Sequence, residues 1–145
     1  FDSTASLYRG SLGRDYKMRG HSIVLSDVNG DALEDLLVWT GKEGNYGGPS
    51  FDVYLMDKNS GKFQLNEAFS ELTVGYSALF IVEKDGKIKA GAANGCCEHY
   101  FDTYEVRNNA PVLIERISED TNNPAQPKVK KEILIDGKMK EVSVK

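Results

Sequence analysis

A single, mostly antiparallel all-β domain with at most one short helix is the fold class that this chain predicts. Three observations carry it. Short apolar runs rich in β-branched residues recur along the chain, each stopped by a cluster of Asp, Asn and Gly. Asp-Gly pairs stand between such runs at Asp85-Gly86 and Asp136-Gly137, where hairpin turns are expected. One stretch, Asn66 to Leu72, has helical length, with Asn66 placed as an N-cap and Glu67 in the first turn.

Composition sets the outer bounds. With 145 residues and 40% hydrophobic content, the chain can bury one core. A net charge of −4 argues against a nucleic acid or an anionic membrane held by bulk charge. Basic residues do not cluster until Lys128, Lys130 and Lys131. No apolar run approaches the roughly 18 residues of a membrane span. The chain begins at Phe1 with no charged n-region or apolar h-region, and a signal peptide or lipid anchor is expected to have been removed before it.

Within the first twenty residues, one or two short strands are expected. His21 to Leu25 reads as a strand that ends at an Asp/Asn/Gly cluster, and Leu36 to Thr40 reads as the next. Between them lies Asp27-Val28-Asn29-Gly30-Asp31-Ala32-Leu33-Glu34-Asp35. Oxygen-bearing side chains at loop positions 1, 3, 5 and 9 suit a hard cation. Calcium takes roughly 6–8 oxygen ligands at about 2.3–2.6 Å. The expected ligands are the side chains of Asp27, Asn29, Asp31 and Asp35, the backbone carbonyl of Leu33, and a water. An EF-hand would place Gly at position 6 and a bidentate Glu at position 12; here Ala32 and Val38 stand there. The same residues also make ordinary Asx turns without any ion. Three carboxylates within nine residues repel one another, however, which favours the cation.

Gly41 to Pro49 reads as a flexible excursion with Asn45 and Tyr46 at its tip. It is either a plain solvent-exposed connection or a recognition loop presenting Tyr46. It lacks the order of a phosphate-binding loop. Leu79 to Val82 and Lys87 to Ala90 pair across a type I′ turn at Asp85-Gly86. Tyr100 to Val106 and Val112 to Ile117 form another pair. Alternation places Tyr100, Asp102, Tyr104 and Val106 on one face, and His99, Phe101, Thr103 and Glu105 on the other.

Cys96 and Cys97 are the only cysteines. Neighbouring Cα atoms lie about 3.8 Å apart, short of the usual disulfide span of roughly 4.4–6.8 Å. A bridge would fix a strained, rigid turn beside Gly95; the alternative is two free, part-buried thiols. Zinc held by Cys96, Cys97 and His99 would need His21 or a carboxylate and lacks the paired spacing of zinc motifs. Residues 119–128 read as a polar linker between a calcium-binding domain over 1–118 and a hairpin over 129–145. That hairpin is expected to dock on the main sheet, since isolated hairpins are marginal.

The acidic loop, D-x-N-G-D-x-x-x-D-L, resembles that of the FG-GAP/VCBS repeat, a β-propeller blade element that chelates calcium between two strands. With Val53 to Phe63, Asn66 to Leu72 and the Tyr-rich late strands, residues 20 to 118 are similar to small exported bacterial calcium-binding β-proteins. One branch of that family inhibits lysozyme-like peptidoglycan hydrolases. The resemblance implies a propeller-like fold, with a sandwich as the alternative, because one repeat cannot close a propeller of typically 4–8 blades. It implies a second repeat strand at Phe51 to Leu55 with a Gly-x-Phe turn at Ser60-Gly61-Lys62-Phe63, a periplasmic or extracellular address, bound Ca2+ and a protein partner, a cell-wall hydrolase in that branch. Some periplasmic lysozyme inhibitors insert a Ser-Gly-x-Tyr loop into the enzyme cleft; here the loop ends in Phe63, which the repeat pattern makes a core residue.

Catalysis has little support. There is no nucleophile elbow, and the paired cysteines do not stand beside a base. His21 and His99 read as strand residues with satisfied hydrogen bonds. The expectation is a binding protein rather than an enzyme, with Tyr46, Asn45, Cys96, Cys97, His99 and Tyr100 as the candidate partner-binding residues. A calcium-stabilised adhesion or envelope-assembly module is the alternative.

Overall fold

The computed structural model describes residues 7–12, 20–78 and 80–144. Its eleven described strands form two open sheets, with one α-helix between them in sequence. The first sheet holds β1 (Leu7–Arg9), β2 (Ile23–Ser26), β3 (Asp35–Gly41), β4 (Ser50–Met56) and β5 (Phe63–Asn66) in that order. β1 and β2 are parallel, and the other neighbours are antiparallel. Helix α1 (Glu67–Tyr76) follows. The second sheet is an antiparallel meander of β6 (Phe80–Val82), β7 (Ile88–Asn94), β8 (Glu98–Arg107), β9 (Ala110–Asp120), β10 (Lys128–Ile135) and β11 (Lys138–Val142). The domain is all-β, sandwich-like and not closed. Tyr16, Met18 and Leu79 lie outside the described residues.

Alternation builds the core. Phe51, Val53 and Leu55 point inward from β4, Val24 from β2, Leu37 from β3, Phe80 from β6, and Ile88 and Ala90 from β7. Phe69, Leu72 and Tyr76 add one face of α1. Full burial of a large apolar side chain contributes about 1.5–3 kcal/mol, so Phe51, Phe69 and Phe80 are the largest contributors.

The helix starts where the sequence predicts, with Asn66 Oδ1 accepting the Phe69 N–H at 2.9 Å. It runs past Leu72 to Tyr76 because Thr73 and Tyr76 also face the core. Its hydroxyls serve β4. Ser70 Oγ accepts the Val53 N–H at 2.8 Å, and Thr73 Oγ1 accepts the Phe51 N–H at 3.1 Å. The helix thereby satisfies strand donors that would otherwise be buried without partners.

Three local expectations change. Asp85-Gly86 is not a type I′ turn, which needs positive φ at both central residues. Gly86 has φ +84°, but Asp85 stays out of the left-handed region. Its Oδ1 instead accepts the Lys87 N–H at 3.0 Å, and Gly86 donates to the Glu83 carbonyl at 2.9 Å. The type I′ geometry occurs at Asn108-Asn109, with φ +50° and +57°, and at Asp136-Gly137, with φ +51° and +77°. Phe63 is not core: it opens the outer strand of the first sheet and is 40% exposed. Finally, β9 continues to Asp120 and β10 begins at Lys128, so the polar connection is shorter than its composition suggests. β10 and β11 extend the second sheet directly from β9.

Candidate functional site

The acidic loop joins β2 to β3 and is anchored at both ends. Val28 is fully buried, and Asp35 pairs with Ser26 across the strands. Inside the loop, Asp27 accepts the N–H groups of Gly30 and Ala32, both at 2.8 Å. Asp31 Oδ1 accepts that of Leu33 at 2.9 Å, and Asn29 Oδ1 that of Asp31 at 3.3 Å. Ala32, at position 6, has φ +68°, the left-handed conformation that an EF-hand assigns to Gly.

These turns bring one carboxylate oxygen each from Asp27, Asp31 and Asp35 within 4.8 Å of one another. Asp35 is completely buried. Burial, opposed by its two backbone hydrogen bonds and reinforced by the charges of Asp31 and Asp27, pushes its carboxyl up to about 6. The three carboxylates form a hard oxygen set that suits calcium or a similar cation, while Asn29 donates its amide nitrogen to Asp31 Oδ2 at 3.3 Å and turns its oxygen to the Asp31 N–H.

Asp35 also ties the loop to its neighbour. Its Oδ2 accepts the Val28 N–H at 3.0 Å, and its Oδ1 accepts the Met56 N–H at 2.9 Å. Met56 ends β4 and leads into the loop that carries Ser60 to Phe63. That loop is stiffened by Asp57, whose carboxylate accepts the Asn59 N–H at 3.0 Å and the Ser60 hydroxyl at 2.9 Å. Asp31, Asp57 and Gln64 line one hollow of about 390 Å3.

The other candidate residues are distributed unevenly. Tyr46 forms part of a 3-10 turn, Asn45–Gly47, and stands 74% exposed. Its hydroxyl meets the turn at Gly95, which brings it to Cys96 and Cys97. The two cysteines form a disulfide, so they are not free thiols and their sulfurs are not zinc ligands. His99 and Tyr100 alternate to opposite faces of β8 and do not share a surface with each other. The Nδ1 of His21 is buried with no hydrogen-bond partner among the described residues, in contrast to the satisfied histidine expected from sequence.

One cluster is signalled only in part, by the alternation that puts Tyr100, Asp102 and Tyr104 on one face of β8. Asp102 on β8 is buried and receives Arg116 Nε at 2.7 Å and Nη2 at 2.8 Å from β9. The Tyr76 hydroxyl on α1 also donates to Asp102 and contacts the Tyr104 hydroxyl at 2.6 Å. The Arg116 guanidinium lies 5.2 Å from the Tyr100 ring centroid. The Asp102 carboxylate holds the Arg116 guanidinium well above its usual range; burial raises the Tyr76 and Tyr104 phenols. These residues border a hollow of about 440 Å3 between α1 and the second sheet. Their pairing depends on cross-strand register and helix docking, neither of which a linear motif records.

Fold and site together define a two-sheet β-protein with an acidic strand-to-strand loop. Comparison with solved structures makes this more specific. The chain is 52% identical to a protein described as the "Structure of a Xanthomonas Type IV Secretion System related protein", with a TM-score of 0.86 over 99% of this chain and 68% of that one. The chain belongs to the family of that Xanthomonas type IV secretion system related protein. No family model and no curated protein matches it. Among the described residues, no helix is long and apolar enough to cross a membrane.

Proposed function

We propose that this chain is an exported, calcium-stapled binding protein that docks on a lysozyme-like peptidoglycan hydrolase and inhibits it. The observation that carries the reading is the double engagement of Asp35, which bonds Val28 in the acidic loop and Met56 at the root of the Ser60–Phe63 loop. A cation drawn to Asp27, Asn29, Asp31 and Asp35, with the Leu33 carbonyl, would stiffen both loops together. It would neutralise a buried carboxylate that is otherwise costly to charge.

The exposed ring of Phe63 supports the inhibitory part of the reading. A Ser-Gly-x-aromatic loop on a rigid support can enter an enzyme cleft at low entropic cost, and Phe63 offers its ring to solvent. The secretion-related relative and the disulfide are in keeping with a periplasmic or extracellular address.

The test is lysozyme turnover on peptidoglycan with equimolar protein, using several lysozyme types, in calcium and in chelator. Reduced turnover in calcium, weakened by chelation and by Phe63→Ala, is the expected result. Unchanged lysis across all types in calcium would sink the inhibitor reading and favour an adhesion or envelope-assembly module.

A further inference from the structure

At the opposite end of β4 from the acidic loop, the two sheets meet through the Gly95-Cys96-Cys97 turn between β7 and β8. The Gly95 N–H donates to the Tyr46 hydroxyl at 2.7 Å, reaching across to the first sheet. On the other side of the turn, the Cys97 carbonyl accepts the Thr121 N–H at 2.8 Å and the Thr121 hydroxyl at 3.2 Å. The disulfide between Cys96 and Cys97 thus lies between two anchors, one to the first sheet and one to the end of β9.

A bridge between sequence neighbours closes a small ring that contains the peptide bond joining them. With that peptide planar, the ring confines ψ of Cys96 and φ of Cys97, the two central backbone torsions between the anchors. Cys96 is exposed and Cys97 partly so, which leaves the bridge open to an incoming thiolate. Tyr46 has φ +56°, a region that non-glycine residues rarely occupy; its backbone turn is closed by Gly44 N–H to the Gly48 carbonyl at 2.9 Å and Gly47 N–H to the Gly44 carbonyl at 3.0 Å, while its side chain is held at the hydroxyl by Gly95.

We propose that the Cys96–Cys97 disulfide is a redox-sensitive clasp for the Tyr46 loop. Oxidised, it holds the Gly95 N–H against the Tyr46 hydroxyl; reduced by a dithiol, it releases that contact. In the first step a thiolate of the dithiol attacks one protein sulfur, the S–S bond breaks, and the departing cysteine thiolate takes a proton. The second thiol of the reductant then displaces the remaining protein sulfur, which is protonated in turn. Two electrons and two protons pass to the protein, and the dithiol leaves as its own disulfide. The clasp is a property of the free protein and does not rest on the proposed inhibition.

The test uses the full chain, isotopically labelled, with and without dithiothreitol, with free thiols counted by alkylation and mass. Amide exchange is read at Gly95, with Val24 and Val53 as core reporters. Reduction is expected to speed exchange at Gly95 about three- to tenfold, the scale of one lost hydrogen bond. The core amides should not change. The oxidised Tyr46→Phe variant should match reduced wild type at Gly95 and respond little to further reduction. A Cys96→Ser, Cys97→Ser double variant should behave as permanently reduced. The clasp is overturned if two thiols titrate while Gly95 exchange stays slow, or if the bridge resists excess reductant in the folded protein. It is equally overturned if Val24 and Val53 accelerate alongside Gly95, since the bridge would then act on the whole fold.

Discussion

Gly30 in the acidic loop packs directly on Gly86 in the β6–β7 turn: a Cβ added to Gly30 would lie 2.9 Å from Gly86 Cα. The calcium-loop candidate is thereby seated on the second sheet as well as on the first.

This contact yields the first prediction. Both glycines have positive φ, +79° and +84°, but an added Cβ on Gly86 meets nothing within 4 Å. Gly86→Ala should therefore cost only the left-handed penalty, about 1–2 kcal/mol. Gly30→Ala adds a backbone clash, and overpacking costs typically a further ~1–3 kcal/mol. Urea denaturation of the two variants checks the order; equal losses would show that the packing of Gly30 on Gly86 is not tight.

Calcium should stabilise the protein through Asp27, Asn29, Asp31 and Asp35. At a hundredfold excess over the dissociation constant, linkage gives about 2.7 kcal/mol, which is about 5–10 °C in Tm for a chain of this size. Chelator should remove that increment, and Asp31→Ala should abolish the difference between calcium and chelator. A variant that still responds to calcium like wild type would place the ion elsewhere.

Thr73→Val keeps the shape of a buried side chain but removes its hydroxyl. The Phe51 N–H would lose its acceptor, and the one hydroxyl proton that lies within reach of the Ser70 carbonyl at 2.7 Å and the Phe51 carbonyl at 3.1 Å would be gone. An orphaned buried group costs about 1–3 kcal/mol. The loss should appear in denaturant melts with an unchanged m-value.

Removing Arg116 leaves Asp102 buried without its cation. Breaking a buried pair costs about 3–5 kcal/mol; partial exposure of Arg116, at 35% of its side chain, places Arg116→Met near the lower end. Urea melts of Arg116→Met against wild type measure the loss, and a loss below about 1 kcal/mol would show that Asp102 finds another partner.

Much of the fold was legible from local pattern. The strands expected over His21 to Leu25, Leu36 to Thr40, Tyr100 to Val106 and Val112 to Ile117 follow from alternation and β-branched runs and are found as β2, β3, β8 and β9, with His21 and Ser22 outside β2; the N-cap at Asn66 follows from a short-range hydrogen bond. The cluster of Asp27, Asp31 and Asp35 could be read because its side chains lie within nine residues, and their convergence within 4.8 Å follows from local Asx turns. Where local reading failed, another interaction competed. Asp85 bonded the backbone itself, and Phe63 fell on an outer strand where the repeat pattern had placed it in the core.

By itself, then, the sequence determined the strand pattern, the hairpin at Asp136-Gly137 and the set of oxygen donors between β2 and β3, since each depends on torsions and contacts a few residues apart. Only the tertiary structure decided that Gly30 meets Gly86, that Asp35 links the acidic loop to Met56, that Tyr46 reaches Gly95, and that Asp102 receives both Arg116 and Tyr76. Those contacts join residues 14 to 56 positions apart. They exist because the register of the two sheets and the docking of α1 bring distant backbone together, and no local propensity encodes that approach.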